Sequence, residues 1–164
     1  CASLNCKPSE LTWKNGIDIL SLGTTKNGTI SCEAIIVFNQ EIIDDIERRQ
    51  KRSGHLWSKN RFMAGQIIKW IEDDRWLKSA KKANLHAQDI KSLLKKINNV
   101  TIEYNVDINM VFACIPLKIQ ALLKENNVMF NPWYGKNNLT RFVTSWDTKD
   151  FEINSFSSII NTLN

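Results

Sequence analysis

Two short apolar segments flank a polar turn near the start of the chain, and they limit the fold more than any other feature. The first runs from Ile17 to Leu22 and the second from Ala34 to Phe38, with Gly23-Thr24-Thr25-Lys26-Asn27-Gly28 between them. Asn-Gly is a strong turn signal, so the pattern predicts two antiparallel strands joined by a hairpin. Neither strand alternates cleanly between apolar and polar residues, which is typical of strands covered on both faces. The hairpin is therefore expected to belong to a larger layered fold.

Apolar spacing after the hairpin predicts three helices and then a mixed segment of strands and helices. The helical segments are expected from Gln40 to about Gly54, around Met63–Ile71 and over Ala83–Ile97. The expected later elements are strands 101–104, 110–115, 128–130 and 139–144, a helix over 116–126, and a last helix with Asp147 as its N-cap. This order predicts a domain boundary, with domains 1–80 and 81–164.

The composition excludes several classes of protein. Of the 164 residues, 43% are hydrophobic and 24% are charged, which is typical of a folded globular protein. No apolar stretch is long enough to cross a bilayer, so no membrane partner is expected. The net charge of +5 comes from basic residues dispersed among acidic ones. Because no recognition motif accompanies the charge, we expect no nucleic-acid partner.

The ends and the cysteines of the chain add two expectations. The chain begins with Cys1 and shows no secretory leader, so we expect it to start inside a longer protein. Cys1, Cys6, Cys32 and Cys114 lack the paired spacing of a zinc site, so no metal site is expected. Free thiols favour a reduced, cytoplasmic protein.

Motifs that extend along almost the whole chain resemble those of a known family. The first comprises Asp18–Gly28 and the apolar segment that follows it, Glu33–Phe38. The later ones are Arg49–Gly54, Ser58–Phe62, Glu72–Trp76 and Thr140–Asp147. In this order they resemble segments of the bacterial low-specificity threonine aldolases, which belong to fold type I of the pyridoxal-phosphate-dependent enzymes. Any one motif is weak, but several in the same order form a strong signal.

The resemblance implies both a fold and an activity. The implied fold class is α/β, PLP-dependent transferase-like (fold type I). Residues 1–80 would be the C-terminal part of the large cofactor-binding domain, and residues 81–164 a complete small α+β domain. The implied enzyme is a homo-oligomer, dimer or tetramer, that cleaves L-threonine and related β-hydroxy amino acids to glycine and an aldehyde. Two alternatives remain open: β-elimination or transamination on the same scaffold, and a non-catalytic binding domain.

The resemblance also assigns the cofactor lysine and its surroundings. It implies that Lys26 is catalytic and binds pyridoxal 5'-phosphate as a Schiff base through its amine. Thr24 is a candidate for binding the cofactor phosphate, and ordinary hydrogen bonding within the turn is the alternative. Arg52 is a candidate cation for the same phosphate or for the cofactor of a neighbouring subunit.

Arg141 is, by the same resemblance, the anchor of the substrate carboxylate. Its planar guanidinium presents paired donors that match two carboxylate oxygens. The alternation Leu139, Arg141, Val143 places a charge among apolar residues on one strand face, where a charge needs a partner. The alternative is an edge-strand arginine paired with a nearby Asp or Glu.

Other groups of the site have no candidate in this chain. His55 and His86 lie outside any motif, and His86 is expected at the surface or at the boundary of a helix. The tryptophans, among them Trp133, are expected in the core or at an interface. In the family the ring-stacking residue and the aspartate that pairs with the ring nitrogen lie upstream of the lysine. The chain alone is therefore expected to be inactive.

Overall fold

The computed structural model describes residues 1–163, which form two compact units. The first unit is Cys1–Lys78 and the second begins at Ser79, where the sequence predicts domains 1–80 and 81–164. No helix within residues 1–163 is both long and apolar enough to cross a membrane. Over the same residues, no group of three or more His, Cys, Asp or Glu side chains is placed to hold a metal ion.

The first unit contains the predicted hairpin. Strands β1 (Ile19–Gly23) and β2 (Glu33–Val37) pair antiparallel over their whole length. Their connection is longer than a two-residue turn. It contains a 3-10 turn over Thr25–Asn27, and Gly28 closes that turn with φ of 112°, a left-handed conformation that glycine adopts without strain.

Two helices follow the hairpin in the first unit, close to the predicted positions. They are α1 (Ile43–Arg52) and α2 (Arg61–Ile71). On α1, Arg49 Nε donates to the carboxylate of Asp45 at 2.6 Å, as the helical spacing predicts. That hydrogen bond, together with the nearby guanidinium charges, holds the pKa of Asp45 below its usual range.

The second unit is an antiparallel sheet covered by helices. Its sheet has four strands in the order β3-β4-β6-β5. The elements are α3 (Arg75–Leu94), β3 (Thr101–Ile102), β4 (Met110–Cys114), α4 (Leu117–Glu125), β5 (Asn131–Pro132), β6 (Leu139–Val143) and α5 (Asp150–Thr162). One buried apolar cluster joins side chains of the three helices to those of β4 and β6, the two central strands. Central residues of this cluster are Leu94, Val111, Leu123, Phe142 and Ile160.

Several predicted boundaries are wrong. Helix α3 spans Arg75–Leu94 where the sequence predicts Ala83–Ile97. At two other places, backbone hydrogen bonds end the elements elsewhere than predicted. The strand predicted at 128–130 lies at Asn131–Pro132. The Val128 N–H donates to the Leu123 carbonyl at 2.9 Å and closes the end of α4 instead of joining the sheet. The last helix is not capped by Asp147. It begins at Asp150, after Lys149, whose N–H donates to the Glu152 carboxylate at 2.7 Å.

Candidate active site

Lys26 lies in the middle of the 3-10 turn that joins β1 and β2, and its side chain is exposed. The residue that follows it is held at two points. The side-chain amide of Asn27 donates to the Trp76 carbonyl at 3.0 Å, and the Trp70 indole N–H donates to the Asn27 carbonyl at 3.0 Å. The two indole rings lie 5.9 Å apart. The backbone next to Lys26 is therefore fixed although the lysine side chain is accessible.

The Lys26 amine has no ion-pair partner within residues 1–163. A lysine forms a Schiff base through its amine, so an aldehyde must be able to reach that amine. The accessible side chain of Lys26 meets this requirement, and the fixed turn holds its backbone in place. The surroundings of Lys26 therefore suit covalent attachment of an aldehyde cofactor.

Thr24 is completely buried, and its hydroxyl is used within the hairpin. The hydroxyl donates to the Cys32 carbonyl at 2.5 Å, and the Thr29 hydroxyl lies 2.8 Å from it. These contacts are the hydrogen bonding within the turn that the sequence left as the alternative. Its contact with a cofactor phosphate stays a prediction.

Arg52 lies in the last turn of α1, and its side chain is exposed. It has no ion-pair partner in the part of the chain that the structure describes. A cation that is not held in an ion pair can bind a phosphate. Many surface arginines share this environment, so the proposed role of Arg52 in cofactor binding stays a prediction.

Arg141 lies on β6, an interior strand of the sheet, and not on an edge strand. Phe112 on β4 is its partner on one side and Asn131 on β5 is its partner on the other. The Arg141 side chain is half-buried, and its Nε is fully buried with no hydrogen-bond partner within residues 1–163. The guanidinium carbon lies 4.4 Å from the centre of the Trp133 ring.

The acidic side chain closest to Arg141 along this row of the sheet is already paired with another cation. The backbone N–H of Glu103 donates to the Phe112 carbonyl, so Glu103 continues the row on the far side of Phe112. Its carboxylate pairs with Lys136, and this hydrogen bond raises the pKa of the lysine above its usual range. Arg141 has no ion-pair partner within residues 1–163, so its charge is available to an external anion.

Two residues lie in surroundings that the sequence did not predict. His86 is buried, because it shares the inner face of α3 with Ala83 and Ala87. Its Nε2 lies 3.3 Å from an Asp150 carboxylate oxygen, without hydrogen-bond geometry. Trp133 lies against the Arg141 guanidinium, a contact that depends on strand pairing and that sequence spacing alone does not reveal.

Comparison with known proteins agrees with the resemblance seen in the sequence. The profile of the family described as beta-eliminating lyase matches residues 1–116. A low specificity L-threonine aldolase from Pseudomonas sp. (strain NCIMB 10558) is 37% identical over 163 residues, which cover 99% of this chain and 47% of that relative. The low specificity L-threonine aldolase of Pseudomonas aeruginosa is 37% identical over 148 residues, 90% of this chain and 42% of the relative. The chain thus spans about half the length of these curated relatives.

A solved structure gives the same result at the level of the fold. The structure of a threonine aldolase from Leishmania major superimposes with a TM-score of 0.79 over 90% of this chain and 43% of that chain. The sequence identity is only 21%. The fold class predicted from the sequence, α/β of fold type I, is confirmed.

Proposed function

Because this chain belongs to the beta-eliminating lyase family, whose members depend on pyridoxal phosphate, we propose that it serves a pyridoxal-phosphate-dependent aldolase. The proposed reaction cleaves L-threonine and related β-hydroxy amino acids to glycine and an aldehyde. The two Pseudomonas relatives named above support this choice, since both are low specificity L-threonine aldolases. The observation that carries the proposal is the accessible amine of Lys26 on a fixed turn, with no ion-pair partner for that amine within residues 1–163.

Lys26 is proposed to hold the cofactor through its side-chain amine. When bound, the cofactor supplies a ring that withdraws electrons from the substrate Cα. The chain contributes the position of the amine, because Trp70 and Trp76 fix the adjacent Asn27. A fixed backbone limits the positions that the amine can reach, and so reduces the entropy that must be lost to reach a reactive geometry.

Arg141 is proposed to bind the substrate carboxylate through its paired guanidinium donors. Its interior strand position and the absence of an ion-pair partner within residues 1–163 support this role. Thr24 and Arg52 are proposed contributors to cofactor binding on the resemblance alone. We also propose a homo-oligomer, as the resemblance implies, and a cytoplasmic location, which the free thiols favour.

The attachment site is tested by reductive labelling. The chain is incubated with pyridoxal phosphate, reduced with borohydride, digested, and analysed by mass spectrometry for a pyridoxyl group. We expect one dominant site at Lys26, absent in Lys26→Ala and retained in the control Lys59→Ala, another exposed lysine of the same unit. Equal labelling of many lysines, or labelling unchanged by Lys26→Ala, would refute the proposal.

A second candidate reaction is β-elimination, which the description of the matching family favours. Lys26 and Arg141 suit both reactions, so only products separate them. Aldol cleavage of threonine releases glycine and acetaldehyde, whereas β-elimination releases ammonia and a 2-oxo acid. We expect the chain alone to produce neither at an enzymatic rate, and turnover by the isolated chain would contradict that expectation.

A further inference from the structure

We propose that Trp133 is a positioning residue for Arg141. Its indole holds the guanidinium in place and leaves the paired N–H donors free for a substrate carboxylate. The inference rests on the proposed function for the identity of that carboxylate. The contact itself is independent of it, since the guanidinium carbon lies 4.4 Å from the centre of the ring.

Arg141 has no ion-pair partner on its sheet face within residues 1–163. Phe112 and Asn131 lie directly opposite on the two neighbouring strands. Leu139 and Val143 lie two residues away along β6, on the same face of the strand. A half-buried cation with apolar and amide neighbours needs another source of stabilisation. The electron-rich face of an indole is such a source.

Glu103 lies too far along the row of cross-strand neighbours to form an ion pair with Arg141, and its carboxylate is already paired with Lys136. Two strand spacings separate Glu103 from Arg141, about 10 Å between backbones, with the Phe112 ring between them. The Glu103 carboxylate pairs with Lys136. Lys136 therefore neutralises the nearest carboxylate of the row, and Arg141 has no ion-pair partner in the described part of the chain.

Trp133 is itself held firmly, as a positioning residue requires. Its backbone N–H donates to the Leu139 carbonyl at 2.8 Å. The Phe112 ring meets its indole edge-on at 5.5 Å, and the Tyr134 ring stacks on it at 4.6 Å. The indole thus has a fixed backbone and aromatic neighbours on two sides.

An aromatic partner leaves the N–H donors of an arginine free to bind a substrate, whereas a carboxylate partner does not. A carboxylate would orient the arginine but would occupy its N–H donors and cancel its charge. An aromatic face contacts the flat surface of the guanidinium, and the donors lie in the guanidinium plane. Trp133 can therefore order the Arg141 side chain without competing with the substrate.

The test measures carboxylate binding at Arg141 in the full 164-residue chain. Side-chain Nε–H signals of arginine are recorded by NMR, and Arg141→Lys identifies the signal of Arg141. Acetate is the probe, titrated against chloride at constant ionic strength. We expect Trp133→Leu to abolish the ring-current shift of the Arg141 signal and to weaken acetate binding about fivefold, the size of one cation–π contact.

Two further variants separate positioning from a general effect on the structure. Trp133→Phe keeps an aromatic face and is expected to restore most of the affinity. Trp146→Leu changes an exposed tryptophan of the same unit and is expected to leave the acetate affinity unchanged.

Equal acetate affinity in Trp133→Leu and the unaltered chain would overturn the role of Trp133 and leave the proposed function intact. If acetate does not shift the Arg141 signal in the unaltered chain, the carboxylate anchor fails, and the role of Trp133 fails with it. The labelling of Lys26 tests the proposed function separately.

Discussion

Thr24 and Thr25 are adjacent in sequence, but their hydroxyls have opposite surroundings. The Thr24 hydroxyl is buried and donates to the Cys32 carbonyl at 2.5 Å, whereas Thr25 is exposed and donates to Glu33 at 3.1 Å. Valine has nearly the shape of threonine but cannot donate. Thr24→Val therefore removes one of two donors to the Cys32 carbonyl, which still accepts from the Thr24 backbone N–H at 3.3 Å. It is expected to lower the free energy of unfolding by about 0.5–1.5 kcal/mol.

Urea unfolding of the two valine variants measures this difference. Thr25→Val is the comparison. The Thr25 hydroxyl is exposed, donates to Glu33 and accepts from the Cys32 N–H at 3.3 Å, so its loss is expected to lower the free energy of unfolding by less than the loss of the buried Thr24 hydroxyl. If Thr24→Val does not lower the free energy of unfolding while pyridoxal phosphate binding falls, Thr24 serves the cofactor and not the turn. The comparison thus decides between the two interpretations that the sequence left open.

The sequence predicted Lys26 and Arg141 because their motifs are local, but it did not predict their surroundings. The carbonyl and the side chain of Asn27 are held by residues that lie 43 and 49 positions away. The contact of Trp133 with Arg141 depends on the pairing of β5 with β6. Pairing between strands is set by the whole fold, so spacing within one segment cannot reveal it. The surface position predicted for His86 is wrong for a similar reason. Packing within the second unit buries the face of α3 that carries His86.

Elements were predicted more reliably where the apolar period is long and less reliably where a single hydrogen bond sets the end. The hairpin, α2 and the buried stripe of α5, with Phe156 and Ile160, agree with the periodic pattern. The end of α4 and the start of α5 differ from the prediction. The Val128 N–H donates to the Leu123 carbonyl, and the Lys149 N–H donates to the Glu152 carboxylate. Element ends depend on such individual bonds.

The Lys136–Glu103 pair links the end of β3 to the loop that precedes β6, and its contribution should depend on pH. Hydrogen bonding to Glu103 raises the pKa of Lys136 above the ordinary value of 10.5. A raised folded-state pKa contributes stability that is fully present below pH 10.5 and is lost as pH rises through the folded-state value. The contribution is expected to be small because the lysine is exposed.

Alkaline denaturation of Glu103→Gln tests this dependence. At neutral pH the variant is expected to be slightly less stable than the unaltered chain, and the difference should narrow as pH rises above 10.5. Lys118→Met, which removes an exposed lysine on α4, is the control and should show no such narrowing. A difference that stays constant across the alkaline range would contradict the assignment.

Across the whole molecule, buried apolar side chains are distributed very unevenly. Within residues 1–163, the second unit holds the apolar cluster around Leu94, Leu123 and Ile160, whereas Cys32 is the one buried apolar residue of the first unit. The hairpin strands were predicted to be covered on both faces, yet Ile35 on β2 is 64% exposed. The chain spans about half the length of its Pseudomonas relatives. A strand with apolar residues on both faces suits a larger layered fold.

This distribution predicts that the two units differ in local stability. Burial of apolar surface is the main favourable term in folding, so amides in the second unit should open only by global unfolding. The amides of β1 and β2 should exchange through smaller, local openings, because few buried side chains stabilise the hairpin. Hydrogen exchange followed by mass spectrometry on the intact chain is expected to show strong protection in β4 and β6 and weak protection in β1 and β2.

Leu94→Ala should lower the protection of β4 and β6 together and leave that of β1 and β2 nearly unchanged, since Leu94 belongs to the cluster of the second unit. Equal protection of both sheets in the unaltered chain would show that the hairpin is stabilised by more than the buried side chains account for.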